Sequence, residues 1–276
     1  MSSQNRSRGS RPSKPGGRRT GDEMPKHHGL ILLAVVGVGA LIYFVYSTLF
    51  GLQKTSTYSG YQLEYISKIH GDASQQALPM VIILHGAGAD EKDLLNVFSH
   101  TDVPLRVVSF RGPAKFQRGY TWAKGDGTSK LAAQADYQDQ FRLVGKAIAY
   151  STEELKKKYR TRGKPFVFGF SMGASMALYL AVHYSDYFGG VFSVGGSLAP
   201  DLLTPEGNSP IVITAPVFAY HGKSDQIIPF ADARASAAKI GEFSRDVVFR
   251  DFDGGHIIPP SVVVDVGLKM KEILGQ

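Results

Sequence analysis

Cysteine is missing from all 276 positions, which excludes disulfides, thiolate nucleophiles, cysteine-ligated zinc and lipid attachment through an N-terminal cysteine. Also missing are a His-Glu-x-x-His pair, a Walker-type phosphate loop and a dinucleotide-binding glycine fingerprint. Those absences argue against the metal, phosphate and redox classes that such motifs serve. Apolar side chains are nearly absent from residues 1–28, a stretch dominated by Ser, Gly, Arg and Pro. This stretch cannot bury enough surface to offset chain entropy, so it is expected to be a disordered tail. Residues 29–50 lack something else: GLILLAVVGVGALIYFVYSTLF contains no charge.

As a helix, those 22 residues would span roughly 33 Å, the thickness of a bilayer core. A buried helix of a globular domain is rarely so long and unbroken. A cleaved signal peptide has a shorter apolar core of about 7–15 residues and a small-residue cleavage site, which does not follow here. Arg18-Arg19 is followed by Thr20-Gly21-Asp22, where a twin-arginine export signal would carry an apolar pair. The segment is therefore expected to be a transmembrane signal anchor, with Tyr43, Tyr46 and Phe50 toward the far interface.

The net charge of +7 is unevenly placed: residues 1–28 hold seven Lys/Arg against two acids, leaving only +2 for residues 29–276. The basicity belongs to the tail, so no nucleic-acid partner is expected for the nearly neutral remainder. The same asymmetry puts the N-terminus in the cytoplasm and the rest of the chain outside, in the periplasm if the cell is Gram-negative. Residues 51–60 read as a linker and residues 61–276 as one globular domain, a length that suits a single α/β core.

Within that domain short β-rich runs alternate with amphipathic stretches. Strands are expected at Tyr61–His70, Met80–Leu84, Leu105–Phe110, 166–169, Gly190–Val194, 217–220 and Val247–Phe252, and helices at 136–159, 174–184, Phe230–Gly241 and 261–274. Continuous apolar strands separated by helices imply a mostly parallel central sheet with helices on both faces, an α/β class.

The strongest chemical signal is Gly169-Phe170-Ser171-Met172-Gly173 between an apolar strand and a small-residue helix pattern. A serine on so sharp a turn is held in a strained conformation that exposes its hydroxyl at the carboxyl edge of the sheet. A hydroxyl is a weak nucleophile at neutral pH, so it needs a base, and the base needs an orienting acid. Asp225 and His256 follow in the expected order, each just past a strand. Asp251 and Asp253 also precede His256. Asp253 is only three residues away and would demand a very tight turn, and Asp251 lies within the strand pattern; Asp225 comes from a separate strand end and is assigned as the acid. MVIIL runs into His85-Gly86-Ala87-Gly88, where the glycines allow the Ala87 amide to converge with the Met172 amide as an oxyanion hole. His85 reads as a brace for that loop. Asp90 and Asp93 read as caps of a following helix, the Glu153 to Lys158 run as a solvated helix face, and His183 and Tyr184 as packing or surface residues.

LHGAGAD at 84–90, RGP with GYTW at 111–122, GFSMGA at 169–174, HGKSDQIIP at 221–229 and GGH at 254–256 together resemble the phospholipase/carboxylesterase branch of the α/β-hydrolases, which includes the acyl-protein thioesterases. The resemblance implies an α/β-hydrolase fold, hydrolysis of carboxylic esters or thioesters on an acyl-ester substrate, and no metal or organic cofactor. It also implies that Trp122 lines the acyl or alcohol pocket, against the plainer reading of a lone core tryptophan. Acyl-protein thioesterases usually carry Gln after the serine and an HGLGD loop, whereas Met172 and HGAGAD stand here; backbone amides survive both changes, so they bear on the substrate. Two other readings compete: a catalytically idle hydrolase-fold binding protein, which usually would have lost part of the constellation, and a serine peptidase, for which the chain has no room for a gating domain.

Overall fold

The computed structural model describes residues 51–72, 77–124, 131–205, 210–244 and 246–276. The basic tail and the apolar segment 29–50 lie outside the described residues. Among the described residues no helix is long and apolar enough to cross a membrane.

An eight-stranded sheet runs in the order β1-β2-β4-β3-β7-β8-β9-β10. β1 (Gln53–Tyr58) and β2 (Tyr61–His70) pair antiparallel, and β2 pairs antiparallel with β4 (Leu105–Phe110). β3 (Met80–Leu84), β7 (Phe166–Phe170), β8 (Gly190–Val194), β9 (Val217–Gly222) and β10 (Val247–Phe252) continue from β4 in parallel. A small hairpin of β5 (Ala114–Phe116) and β6 (Gly119–Thr121) stands apart from this sheet. The helices are α1 (Leu131–Lys158), α2 (Met172–Tyr184), α3 (Phe230–Gly241) and α4 (Pro260–Leu274). The four helices and seven of the strands are the expected elements, with α1 beginning five residues earlier than its periodicity suggested, whereas β1, β5 and β6 were not expected.

β3 shows why the sheet is covered on both faces. All five of its residues are buried, and a strand's alternation sends them to two separate cores. Met80, Ile82 and Leu84 pack with Val144 and Ile148 of α1 and Leu178 of α2. Val81 and Ile83 pack with Phe98 and with Val262, Val266 and Met270 of α4. At about 1.5–3 kcal/mol per fully buried large apolar side chain, these two layers supply most of the gross drive to fold.

Two expectations fail. Residues 51–60, read as a linker, contribute β1 and the hairpin turn. Only Thr55 of β1 faces inward, so no apolar alternation marks the strand. Its hydroxyl instead accepts the Leu63 amide at 3.1 Å and the Ser151 hydroxyl at 3.2 Å. Ser59 and Gly60, at φ 52° and 81°, provide the two positive-φ positions that a tight two-residue hairpin requires. Asp90 and Asp93 cap no helix, because residues 91–100 form a run of turns. Asp90 Oδ1 accepts the Lys92 amide at 2.9 Å, so its short side chain starts a turn instead.

Candidate active site

β7 ends at Phe170, α2 begins at Met172, and Ser171 between them has φ 55° and ψ −121°. A non-glycine residue held there costs roughly 1–3 kcal/mol. The surroundings fix it: the Ser171 amide donates to Val194 O at 3.0 Å, and its carbonyl accepts from Ala174 and Ser175 at 2.9 and 3.0 Å. A Cβ on Gly169 would collide with the Gly173 carbonyl, and one on Gly173 with the Leu84 carbonyl. Bare backbone at both positions lets strand and helix meet closely enough to make the turn.

His256 Nε2 lies 2.8 Å from Ser171 Oγ, and its Nδ1 lies 2.7 Å from Asp225 Oδ2. Asp225 is almost fully buried. Burial by itself would raise its carboxyl, but hydrogen bonds from His256 and from the amides of Ile228 and Ile227 outweigh it and hold the group below the usual carboxylate range. Those two amides reach Oδ1 at 3.0 and 2.8 Å. An ionised Asp225 keeps the proton on Nδ1, which leaves Nε2 free to accept the Ser171 hydroxyl proton. The rival acids lie elsewhere: Asp253 pairs with Lys223 at 2.9 Å and Asp251 with the same lysine at 3.7 Å, both on the exposed surface.

Facing Ser171 from the other side is the loop after β3. A Cβ on Gly86 would sit 3.3 Å from that of Ser171, so the loop passes directly over the serine. The Gly88 amide donates to Tyr120 O, the Tyr120 amide to Ala89 O and the Ala89 amide to Gly86 O. Ala87, exposed, lends its amide to none of these bonds, and the Met172 amide at the first position of α2 lacks an intrahelical partner. Both expected oxyanion donors are thus unspent beside the serine.

His85 is the brace the sequence suggested. It is fully buried, Nε2 accepts the Gly112 amide at 2.9 Å, and Nδ1 therefore donates to Gly86 O at 2.7 Å. Burial favours this neutral form and lowers its pKa. Trp122 combines the two readings weighed for it. Its ring is fully buried, its indole N–H donates to His85 O at 2.8 Å, and it packs on the His85 ring with centroids 4.9 Å apart. It is also among the residues that line a hollow of about 620 Å³, together with Tyr61, Pro113 and Lys115. Core burial and pocket lining thus coexist, and the indole bond to His85 O also holds the loop after β3.

Three features were not foreseen. Glu91, fully buried, forms a bidentate pair with Arg111 at 2.6 and 2.8 Å, and Arg111 also reaches Glu64 at 2.6 Å. This cluster ties the far end of the oxyanion loop to the end of β4. His221, buried at the end of β9, donates from Nε2 to Ile228 O at 2.9 Å and lies 3.3 Å from Asp225 Oδ2, so it closes the turn that carries the acid. The β5–β6 hairpin docks on the oxyanion loop through Tyr120. Among the described residues no group of three or more His, Asp or Glu side chains is placed to hold a metal ion.

A family model of phospholipases and carboxylesterases matches residues 68–271. The chain belongs to that family, whose members are carboxylic ester hydrolases. Solved structures of the same fold include the Bacillus cereus carboxylesterase, 20% identical, covering 76% of this chain and 94% of that one with a TM-score of 0.62. A carboxylesterase from Mesorhizobium loti is 16% identical over 79% of this chain and 98% of its own, with a TM-score of 0.64. Zea mays acyl-protein thioesterase 2 is 18% identical over 76% and 99%, with a TM-score of 0.57.

Proposed function

We propose that this hydrolase cleaves carboxylic esters or thioesters through an acyl-enzyme on Ser171, and that residues 29–50 anchor it in a membrane. The observation that carries the chemistry is the continuous contact from Ser171 Oγ through His256 to an ionised Asp225, at 2.8 and 2.7 Å. Ser171 Oγ attacks the substrate carbonyl as His256 Nε2 takes its proton. Charge develops on the carbonyl oxygen against the Ala87 and Met172 amides, and Asp225 supports the transient imidazolium. His256 returns the proton to the departing alcohol or thiol, then activates the water that releases the acid. His85 acts on this chemistry by fixing the loop that carries Ala87, and Trp122 fixes the same loop while lining the adjacent hollow.

The anchor reading rests on the charge-free run 29–50 and the basic flank before it, which place the tail in the cytoplasm and the hydrolase domain outside. Both halves have direct tests. A fluorophosphonate probe on the full chain should label Ser171, found by mass mapping, and fail on Ser171→Ala; a folded chain that takes no label would be a binding protein. Protease added outside spheroplasts should digest the domain, whereas protection until lysis would reverse the topology and release without residues 1–50 would identify a cleaved signal.

A further inference from the structure

Residues 156–164 read Lys-Lys-Lys-Tyr-Arg-Thr-Arg-Gly-Lys, with six cations and no acid. They form the end of α1 and the turn into the amino end of β7. The Arg162 amide donates to Leu78 O at 3.1 Å, which fixes that turn at the amino edge of the sheet, beside the start of β3. Ser171 lies past the other end of β7, roughly 17 Å away at about 3.3 Å per residue. Lys157, Lys158, Arg160, Arg162 and Lys164 are exposed. Among the described residues only Lys156 of the six has an acid partner, Glu153 at 3.4 Å. Asp72 and Asp102 lie at the same edge, after β2 and before β4, and reduce the surplus without matching it. Asp186 and Asp246 precede β8 and β10, toward the far end of the strand order.

Gathering like charges is unfavourable unless something opposite compensates it. Two further observations say what. Lys158 Nζ donates to Gln53 Oε1 at 3.0 Å, so the chain enters the domain beside this patch. Gln53 is three residues past the apolar run, and three residues reach at most about 10 Å. Exposed Leu52 and Ile69 add apolar surface near the same end.

We propose that the 156–164 surface docks on the anionic phospholipid headgroups of the bilayer and so turns the Ser171 edge away from lipid, toward the aqueous phase. This rests on reading residues 29–50 as the membrane anchor. A tether of that length keeps Lys158, which touches Gln53, and the turn that follows it close to the headgroups, where each cation contributes to an attraction that falls off over about 8 Å in physiological salt. The site then draws its ester from solution rather than from the bilayer that holds the protein.

The absence of cysteine makes the test clean. Full-length Lys157→Cys and Arg118→Cys chains, the second on the β5–β6 hairpin by the site, are reconstituted into phosphatidylcholine vesicles with and without about one-third phosphatidylglycerol, and the rate of thiol labelling is measured. Labelling at position 157 is expected to slow about fivefold on anionic vesicles in low salt and to recover near 0.5 M salt, where the screening length falls to roughly 4 Å. Position 118 should label equally on both. Adding Arg160→Glu, Arg162→Glu and Lys164→Glu should remove the protection while turnover of a soluble ester is retained, showing that the fold survives. Equal labelling of position 157 on both lipids, with the chain floating on both, would overturn the docking and leave the anchor standing. Flotation only on anionic vesicles, lost on charge reversal, would overturn the anchor and keep the patch; flotation on neither would overturn both.

Discussion

The two halves of the site use histidine in opposite ways. On the β9–β10 side His256 touches a hydroxyl and a carboxylate, so its protons have somewhere to go. On the β3–β4 side His85 is buried between the Gly112 amide and the Gly86 carbonyl, a pair that fixes both ring nitrogens and leaves no proton to transfer. In the proposed mechanism the first half moves charge and the second holds still the amides that meet it. Proton relays need an ionised partner, whereas oxyanion loops need rigidity. Substitutions should separate the two accordingly.

Among substitutions that leave Ser171 and His256 in place, the largest effect is expected at Asp225. Asp225→Asn keeps the size and the Ile227 and Ile228 bonds but favours the wrong imidazole tautomer, so kcat for an activated ester should fall by roughly 10³–10⁴, measured in steady state with the melting temperature as control. On the rigid side, His85→Ala leaves the Gly112 amide and Gly86 carbonyl unpaired and loosens the loop. We expect kcat to drop about 10²-fold, the scale of losing one oxyanion donor, with KM little changed; a loss confined to KM would mean that the loop binds substrate rather than charge.

Glu91 separates stability from chemistry. Burial would raise its carboxyl, but Arg111 and its own backbone amide together hold it below the ordinary range. A carboxylate depressed in the fold stabilises it above the unfolded value, near 4.3, and that contribution is lost as pH falls through the lower folded value. Glu91→Gln should therefore cost about 2 kcal/mol at neutral pH and flatten acid unfolding in denaturant titrations at several pH values, with a modest loss of kcat. The smallest effect is expected at Asp253. Asp253→Asn breaks only an exposed pair with Lys223, so activity should stay within about twofold; a severe loss there would reopen the assignment of the acid.

What the sequence made legible follows the same division. The elbow could be read because its glycines and serine are adjacent and its strand and helix flank it directly. Asp225 and His256 could be read because each follows a strand, which in a parallel sheet delivers both to one edge. Trp122 was ambiguous because burial is set by how the β5–β6 hairpin folds over it, and three-residue strands leave no periodicity. The Glu91–Arg111 pair spans 20 positions and exists only once β3 and β4 lie side by side. β1 escaped because one buried threonine does the work that alternating apolar residues do elsewhere.

Whether Ser171 and His256 form one proton-transfer unit is measured most sharply by comparing ester hydrolysis by Ser171→Ala, His256→Ala and the double variant. Each single change should lower kcat by roughly 10⁴ or more, and the double should be no slower than the worse single, because residues acting as a unit are lost together. Losses that multiply in the double variant, or near-normal turnover in either single, would contradict the account.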